Sequence, residues 1–274
     1  MRLAQEIKKT AFELDSIHLK RTVALEIYMP LGISSEQQFN LLLLNDGQDA
    51  DALQLQATLE NLLGLQQIEA LAVVAIRAGD ERIQEYGVAG MPDYLGRGAK
   101  AGYYEQFIIN ELLPFVAQHL PLKVNGKTGF AGFSLGGLSA FDIVYRNPEH
   151  FNLGGVFSGA FWWRSKALDA AYDEEQHRIV LQMIRGVQSK PAVKFWLMAG
   201  TADETSDRNN NGIIDSIDDT IDVIKALLHK GFQRPADLCY YEALGGKHDV
   251  PTWGKAFPAF LRWAFPRQFQ RGTS

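Results

Sequence analysis

From residue 39 onward the chain alternates short continuous apolar runs with helix-length amphipathic segments, and this alternation constrains the fold more than any other feature. The runs cover 39–44, 71–76, 129–133, 153–157, 193–198 and 238–244. Continuously apolar but for Asn40, Lys194 and Glu242, they suit strands buried on both faces. Between them, apolar residues at three- and four-residue spacing predict helices over 52–63, 104–119, 137–146, 168–185, 220–229 and 253–265. Strand and helix in turn imply an α/β fold, a mostly parallel sheet with helices on both faces. Residues 10–30 behave differently: Val23, Leu25, Ile27 and Met29 alternate with polar residues, which predicts two antiparallel strands at a sheet edge, joined near 18–20.

A hydrophobic content of 46% in 274 residues supports one extensive core, and no repeat, low-complexity tract or Pro/Ser-rich linker divides it, so residues 1–274 read as a single domain. The 27 basic and 32 acidic side chains give a net charge of −5, which provides no footprint for nucleic acid. No run of about 18 apolar residues exists to span a membrane. One cysteine, Cys239, forms no internal disulfide. With no apolar leader in the numbered chain, these features suit the cytoplasm, or a chain numbered after removal of a secretory signal. They leave the oligomeric state open.

Gly132-Phe133-Ser134-Leu135-Gly136 stands between a predicted strand and a predicted helix. A serine there sits on a sharp turn whose flanking glycines avoid collisions between strand and helix, the arrangement of a nucleophile elbow. A helix N-cap serine would explain one glycine but not both. A serine hydroxyl needs a base. Of six histidines, only His248 lies in a loop after a late strand, following Gly245-Gly246-Lys247. The carboxylate orienting it is expected after the 193–198 run, at Asp203, with Glu204, an acid later in the same loop or a serine–histidine dyad as the alternatives. Oxyanion donors are expected from the N–H of Leu135 and of Gln48, the latter in the turn Asn45-Asp46-Gly47-Gln48.

With these residues in order, the chain resembles the Putative esterase family of α/β-hydrolases. The resemblance is carried by 43–48, by 75–82 with Glu85-Tyr86-Gly87, by 111–114, by the elbow, by Ser158 to Trp163 and by Gly245 to His248, and runs from about residue 20 to the end. It implies an α/β-hydrolase fold, a triad on Ser134, Asp203 and His248, an oxyanion hole from Leu135 and Gln48, a small-molecule ester as partner, and no organic cofactor. The segment where such folds insert a lid is about 30 residues, so the cap should be small.

Two further expectations concern binding. Asp207 to Asp218 has oxygen-bearing side chains at loop positions 1, 3, 5, 9 and 12 and Gly at position 6. This matches an EF-hand-type calcium loop, with Asp207, Asn209, Asn211, the Ile213 carbonyl, Asp215 and Asp218 as ligands. Aspartate rather than glutamate at position 12 weakens it. A calcium ion there would be structural, fixing the loop that carries Asp203; the bland alternative is an Asn/Gly turn. Trp162, Trp163 and Arg77 are expected to line the substrate pocket, with Phe161, Tyr86, Tyr94, Tyr103, Tyr104 and Arg97 nearby. Ester hydrolysis is the leading reading, against an acyltransferase of the same chemistry and a non-catalytic calcium-stabilised carbohydrate-binding or interaction protein.

Overall fold

The computed structural model describes residues 5–34, 36–169 and 171–267. Eight strands form one sheet in the order β1-β2-β4-β3-β5-β6-β7-β8. In chain order they are Ile7–Ser16, Arg21–Pro30, Phe39–Leu44, Ala70–Ile76, Thr128–Phe133, Leu153–Phe157, Lys194–Ala202 and Leu238–Lys247. β1 and β2 form the antiparallel edge hairpin, and β2 pairs antiparallel with β4 from Leu25 opposite Ile76. Every later pairing is parallel. All six residues of β3 are buried whereas β1 alternates, which is the distinction the two apolar patterns encode.

Helices cover both faces. α1 (Leu55–Gly64) and α9 (Val250–Ala264) pack on one, contributing Leu59, Leu62, Phe257 and Phe260 to its core. The other carries α3 (Ala101–Phe107), α4 (Leu113–His119), α5 (Ser134–Arg146), α7 (Ile179–Gly186) and α8 (Asp215–His229). Two short helices, α2 (Arg82–Glu85) and α6 (Glu174–His177), lie in the connections. Among the described residues no helix is long and apolar enough to cross a membrane.

Three predicted helices come out altered. The 104–119 segment is interrupted by a π turn over Ile108–Leu112, beside Pro114, which has no N–H to give back to Asn110. That turn presents Glu111 to the β1–β2 corner, where it accepts from Ser16 Oγ at 2.5 Å and Ile17 N–H at 2.9 Å. The 168–185 segment breaks at Arg178, which is extended and buried because its guanidinium is drawn inward to Asp219 and Asp222 of α8. The third, predicted over 220–229, starts five residues early at Asp215, so its first turn lies inside the expected calcium loop.

Candidate active site

The parallel strands end along one edge of the sheet, and the chain is most contorted there. Among the described residues, seven non-glycine residues have positive φ. Three of these follow the adjacent strands β3, β5 and β6: Asp46 (φ 58°), Ser134 (φ 51°) and Ser158 (φ 47°). A left-handed conformation costs an L-residue roughly 1–2 kcal/mol, so the surrounding structure must enforce it. At Ser134 the enforcement is steric. A Cβ on Gly132 would stand 2.5 Å from the Gly136 carbonyl carbon and 2.9 Å from Gly137 N, and one on Gly136 would meet Asp46 Oδ2 at 2.5 Å. Half-buried Ser134 is therefore the first residue of α5, at the crest of a turn that only these glycines permit.

The turn after β3 faces the elbow. Asn45 Nδ2 donates to the Gly136 carbonyl at 2.8 Å, and its Oδ1 accepts from Tyr104 Oη at 2.5 Å. Gly47–Asp49 forms one 3₁₀ turn in which Asp49 N–H and Ala50 N–H bond back to the Asp46 and Gly47 carbonyls. Among the described residues the N–H groups of Gln48 and Leu135 have no hydrogen-bond partner, as expected of the first residues of helical turns. Both expected oxyanion donors are thus unengaged. The Gln48 side chain is held at both ends, Nε2 by Asp46 Oδ1 at 3.1 Å and Oε1 by Ala78 N–H at 3.1 Å.

His248 follows β8 and precedes α9, whose N-cap Asp249 accepts from Thr252 N–H at 3.0 Å. Its exposed imidazole meets the Trp253 ring edge-on, with centroids 5.2 Å apart. Trp253 in turn stacks on Phe133, the residue before the nucleophile, at 5.1 Å, and donates from Nε1 to Ser158 Oγ at 3.0 Å. One buried tryptophan thus ties the base loop to the elbow and to the turn after β6. Among the described residues no hydrogen bond joins the imidazole to Ser134 or to a carboxylate.

Two carboxylates stand on the loop after β7. Asp203 Oδ2 accepts from Gly200 N–H at 2.9 Å, while Oδ1 is buried with no hydrogen-bond partner. That oxygen lies 2.6 Å from where a Gly200 Cβ would be, and the Gly246 carbonyl carbon 2.7 Å from the same point, which puts Asp203 Oδ1 near the end of β8 that leads to His248. The Glu204 carboxyl is raised by burial, against the lowering effect of hydrogen bonds from Ser216 N–H and the Ser206 hydroxyl and of the His248 charge. Its oxygens serve the first turn of α8, whereas Asp203 keeps one free.

The expected pocket residues separate. Trp163 is completely buried against Gly87 and Gly98 and donates to the Met91 carbonyl at 3.3 Å, so it is core and not pocket lining. Arg77 is also displaced: it lies in a shallow groove with Ala11, Phe12 and Glu26 of the edge hairpin, because β4 ends two strands from β5. Phe161, Tyr86 and Tyr104 are buried too. Only Trp162, half-buried, and Tyr94 and Tyr103, exposed, keep access to solvent. Arg97 is paired with buried Asp93, its Nε 2.7 Å from Oδ2. Arg164, which the sequence did not single out, lies over the rings of Tyr94 (5.7 Å) and Trp162 (6.0 Å), the latter also faced by Arg97 at 5.0 Å, and its buried Nε has no hydrogen-bond partner.

The 207–218 loop is held by hydrogen bonds among its own residues. Asp207 accepts N–H groups from Asn211 (3.1 Å) and Gly212 (2.8 Å), and the Asn209 and Asn211 amides both reach Asp218 Oδ2, at 2.9 and 2.6 Å. Asn210 and Gly212 take positive φ, bending the loop at positions 4 and 6. Asp215 departs from the set: its Oδ1 accepts from Arg208 N–H at 2.9 Å and faces Arg208 Nη1 at 3.2 Å. Among the described residues no group of three or more His, Cys, Asp or Glu side chains converges as a metal site. The amides meet Asp218 through their nitrogens, while Asn209 Oδ1 accepts from Asn211 N–H at 3.1 Å and Asn211 Oδ1 from Ile213 N–H at 2.8 Å.

The profile of the family described as Putative esterase matches residues 16–264. The chain belongs to this family. No curated protein matches it in sequence. Among solved structures, the enterobactin esterase of Shigella flexneri crystallised in the presence of enterobactin is similar, with a TM-score of 0.73 and 21% identity, over 95% of this chain and 59% of that one. The chain spans about 60% of the length of the enterobactin esterases it matches. An IroE-like serine hydrolase from Shewanella oneidensis gives 0.70 at 19% identity, covering 94% and 80% of the two chains. A siderophore hydrolase from Aspergillus nidulans gives 0.68 at 17%, covering 93% and 94%. At these identities the likeness is one of fold, an α/β-hydrolase fold.

Proposed function

We propose that this member of the family is a serine esterase acting through an acyl-enzyme on Ser134. The observation that carries the reading is the strained serine at the crest of the β5–α5 turn, with two unengaged N–H groups, of Leu135 and Gln48, beside it. In the proposed reaction Ser134 Oγ attacks the ester carbonyl carbon as His248 takes its proton. The carbonyl oxygen gains the negative charge and is held by the two N–H groups. The tetrahedral species collapses, the alkoxide leaves with the proton from His248, and water repeats the sequence to free the acid and Ser134. Asp203, whose Oδ1 is free near the end of β8 that leads to His248, is assigned to orient the imidazole and stabilise its charged form. This needs His248 to swing from Trp253 toward Asp203, a displacement within reach of an exposed loop residue.

The substrate class we assign is an ester bearing an aromatic ring with an anionic or catecholate group. Trp162, Tyr94 and the unpaired Arg164 support this, since an arginine lying over two rings offers its remaining N–H groups to an anion. The enterobactin and siderophore hydrolases of the same fold are consistent with it. A fluorophosphonate probe should label the wild type and leave Ser134→Ala unlabelled, with ester turnover lost in parallel. A binding protein on this scaffold would not label, and labelling that persists in Ser134→Ala would overturn the assignment.

We further propose that the 207–218 loop takes a structural calcium ion through Asp207, Asn209, Asn211 and Asp218, with the Ile213 carbonyl and Asp215 completing the set as in the EF-hand pattern. Bound there, the ion would supply no chemistry to the ester; it would stiffen the loop between Asp203 and α8. Excess chelator should lower Tm by several degrees, and calcium should restore it; an unchanged Tm would refute the site.

A further inference from the structure

Asp46 creates an electrostatic problem for the proposed reaction. Its carboxylate is buried, at 3% side-chain exposure, between the elbow and the turn carrying Gln48. Oδ2 is 2.5 Å from the Cβ position of Gly136, next in the chain to Leu135, and Oδ1 accepts from the Gln48 side chain at 3.1 Å. Both expected donors to the oxyanion are therefore neighbours of a negative charge, where solvent screens little. Left alone, that charge would oppose the transition state it borders.

Arg82 removes the opposition. Its Nε and Nη2 grip Asp46 Oδ1 and Oδ2 at 2.6 and 2.8 Å, a two-pronged pair in which the geometry and the charge are both matched. The guanidinium lies over the Tyr86 ring at 5.0 Å, and although burial alone would lower it, the Asp46 hydrogen bond and charge hold its pKa above the usual arginine value. The Tyr86 hydroxyl closes on Asp46 N–H at 3.4 Å. Asp46 itself is held at positive φ, the conformation that starts the 3₁₀ turn and leaves the Gln48 N–H unengaged.

Resting on the reading of Ser134 and the Gln48 N–H above, we propose that Asp46 and Arg82 are a positioning pair for the oxyanion hole. Asp46 shapes the donor turn, and Arg82 cancels the charge that doing so brings beside the reacting oxygen. The ester carbonyl is neutral in the ground state and negative only in the transition state, so the pair acts on kcat and little on KM.

The test is a cycle on p-nitrophenyl acetate with Arg82→Ala, Asp46→Asn and the double variant, followed by kcat, KM and Tm. Arg82→Ala should lower kcat by ~100-fold, the size of losing one oxyanion donor, with KM within ~3-fold. The double variant should regain at least ~10-fold of that, because the uncompensated charge is gone. A merely structural pair would move Tm in the single variants, restored in the double, while kcat per folded enzyme stayed near wild type in all three. If Arg82→Ala does not fold, Arg82→Lys replaces it, expected to sit between wild type and Asp46→Asn/Arg82→Ala in Tm while keeping most of kcat, since the charge survives and the two-pronged grip does not. A kcat indifferent to Arg82→Ala, or low and unrescued, in an enzyme that fluorophosphonate labels at Ser134 overturns the pair's role alone. A wild type that the probe does not label overturns the esterase reading and the pair's role with it.

Discussion

The two halves of the candidate active site are built to different standards of rigidity. On the nucleophile side, Ser134, Asp46 and the first turn of α5 are locked by backbone-to-backbone contacts, a half-buried ion pair and the side chains of Asn45 and Tyr104. On the acid–base side, His248 is exposed, Asp203 has a free buried oxygen, and a Cβ on Gly245 would meet nothing within 4 Å. The difference teaches where motion is affordable. Oxyanion donors must be aligned before charge develops, because reorganising them during the reaction would cost the stabilisation they provide. A histidine that receives a proton and later returns it tolerates a loop that adjusts.

The sharpest break of this contrast comes from the acid–base side. His248→Ala should lower kcat by ~10⁵- to 10⁶-fold, and Asp203→Asn by ~10⁴-fold through the wrong imidazole tautomer. Glu204→Gln should cost less than ~10-fold, because that carboxyl serves the first turn of α8; initial rates on one ester rank all three. Equal losses at Asp203 and Glu204 would mean that the two share the acid's role.

Stability should show the opposite ordering. Gly132→Ala forces a Cβ onto the backbone of Gly136 and Gly137, which cannot yield, and overpacking of this kind costs about 1–3 kcal/mol or more. Gly245→Ala meets nothing within 4 Å and carries only the strain of its positive φ, about 1 kcal/mol. Thermal melts of the two variants compare the sides directly; a larger loss at Gly245 would reverse the assignment of rigidity.

The smallest effect concerns pH. Asp142, on the buried face of α5, has its carboxyl pushed up to about 7 by burial, against the Arg146 charge; one oxygen is bonded to Ala89 N–H and the other, without a hydrogen bond, lies 3.8 Å from Arg146 Nε. The folded protein therefore holds this proton between about pH 4 and 7 while the unfolded chain has released it. Stability from this group is complete below about pH 4 and falls as pH rises through that window, at no more than about 1.4 kcal/mol per unit. Asp142→Asn should flatten the pH dependence of Tm between 4 and 7 and raise Tm near 7. A slope unaltered by the substitution would show that other groups set it.

Sequence reasoning reached these residues unevenly, for physical reasons. Strands buried on both faces are mostly apolar, so the runs announced the sheet, although the 238–244 run proved to be an edge strand whose Tyr241, Glu242 and Leu244 are exposed, because β8 is the last strand of the sheet. Gly132 and Gly136 were legible because steric exclusion leaves glycine alone at those positions. Trp163 and Arg77 were not, since composition near a strand end says nothing about which way a side chain turns. Arg178 broke a helix that its own periodicity supports, because two carboxylates some 40 residues later draw it inward. The Asp46–Arg82 pair spans 36 residues, and nothing local marks it as a pair.

By itself, then, the chain determined its layered α/β architecture, the family it belongs to and the serine at its sharpest turn, all of which rest on local periodicity and on positions where only one residue type fits. The tertiary structure decided which aromatics are core, which arginines are neutralised and which carboxylate keeps a free oxygen. Those outcomes depend on distances between segments remote in sequence, and electrostatic compensation exists only once folding has brought the charges together.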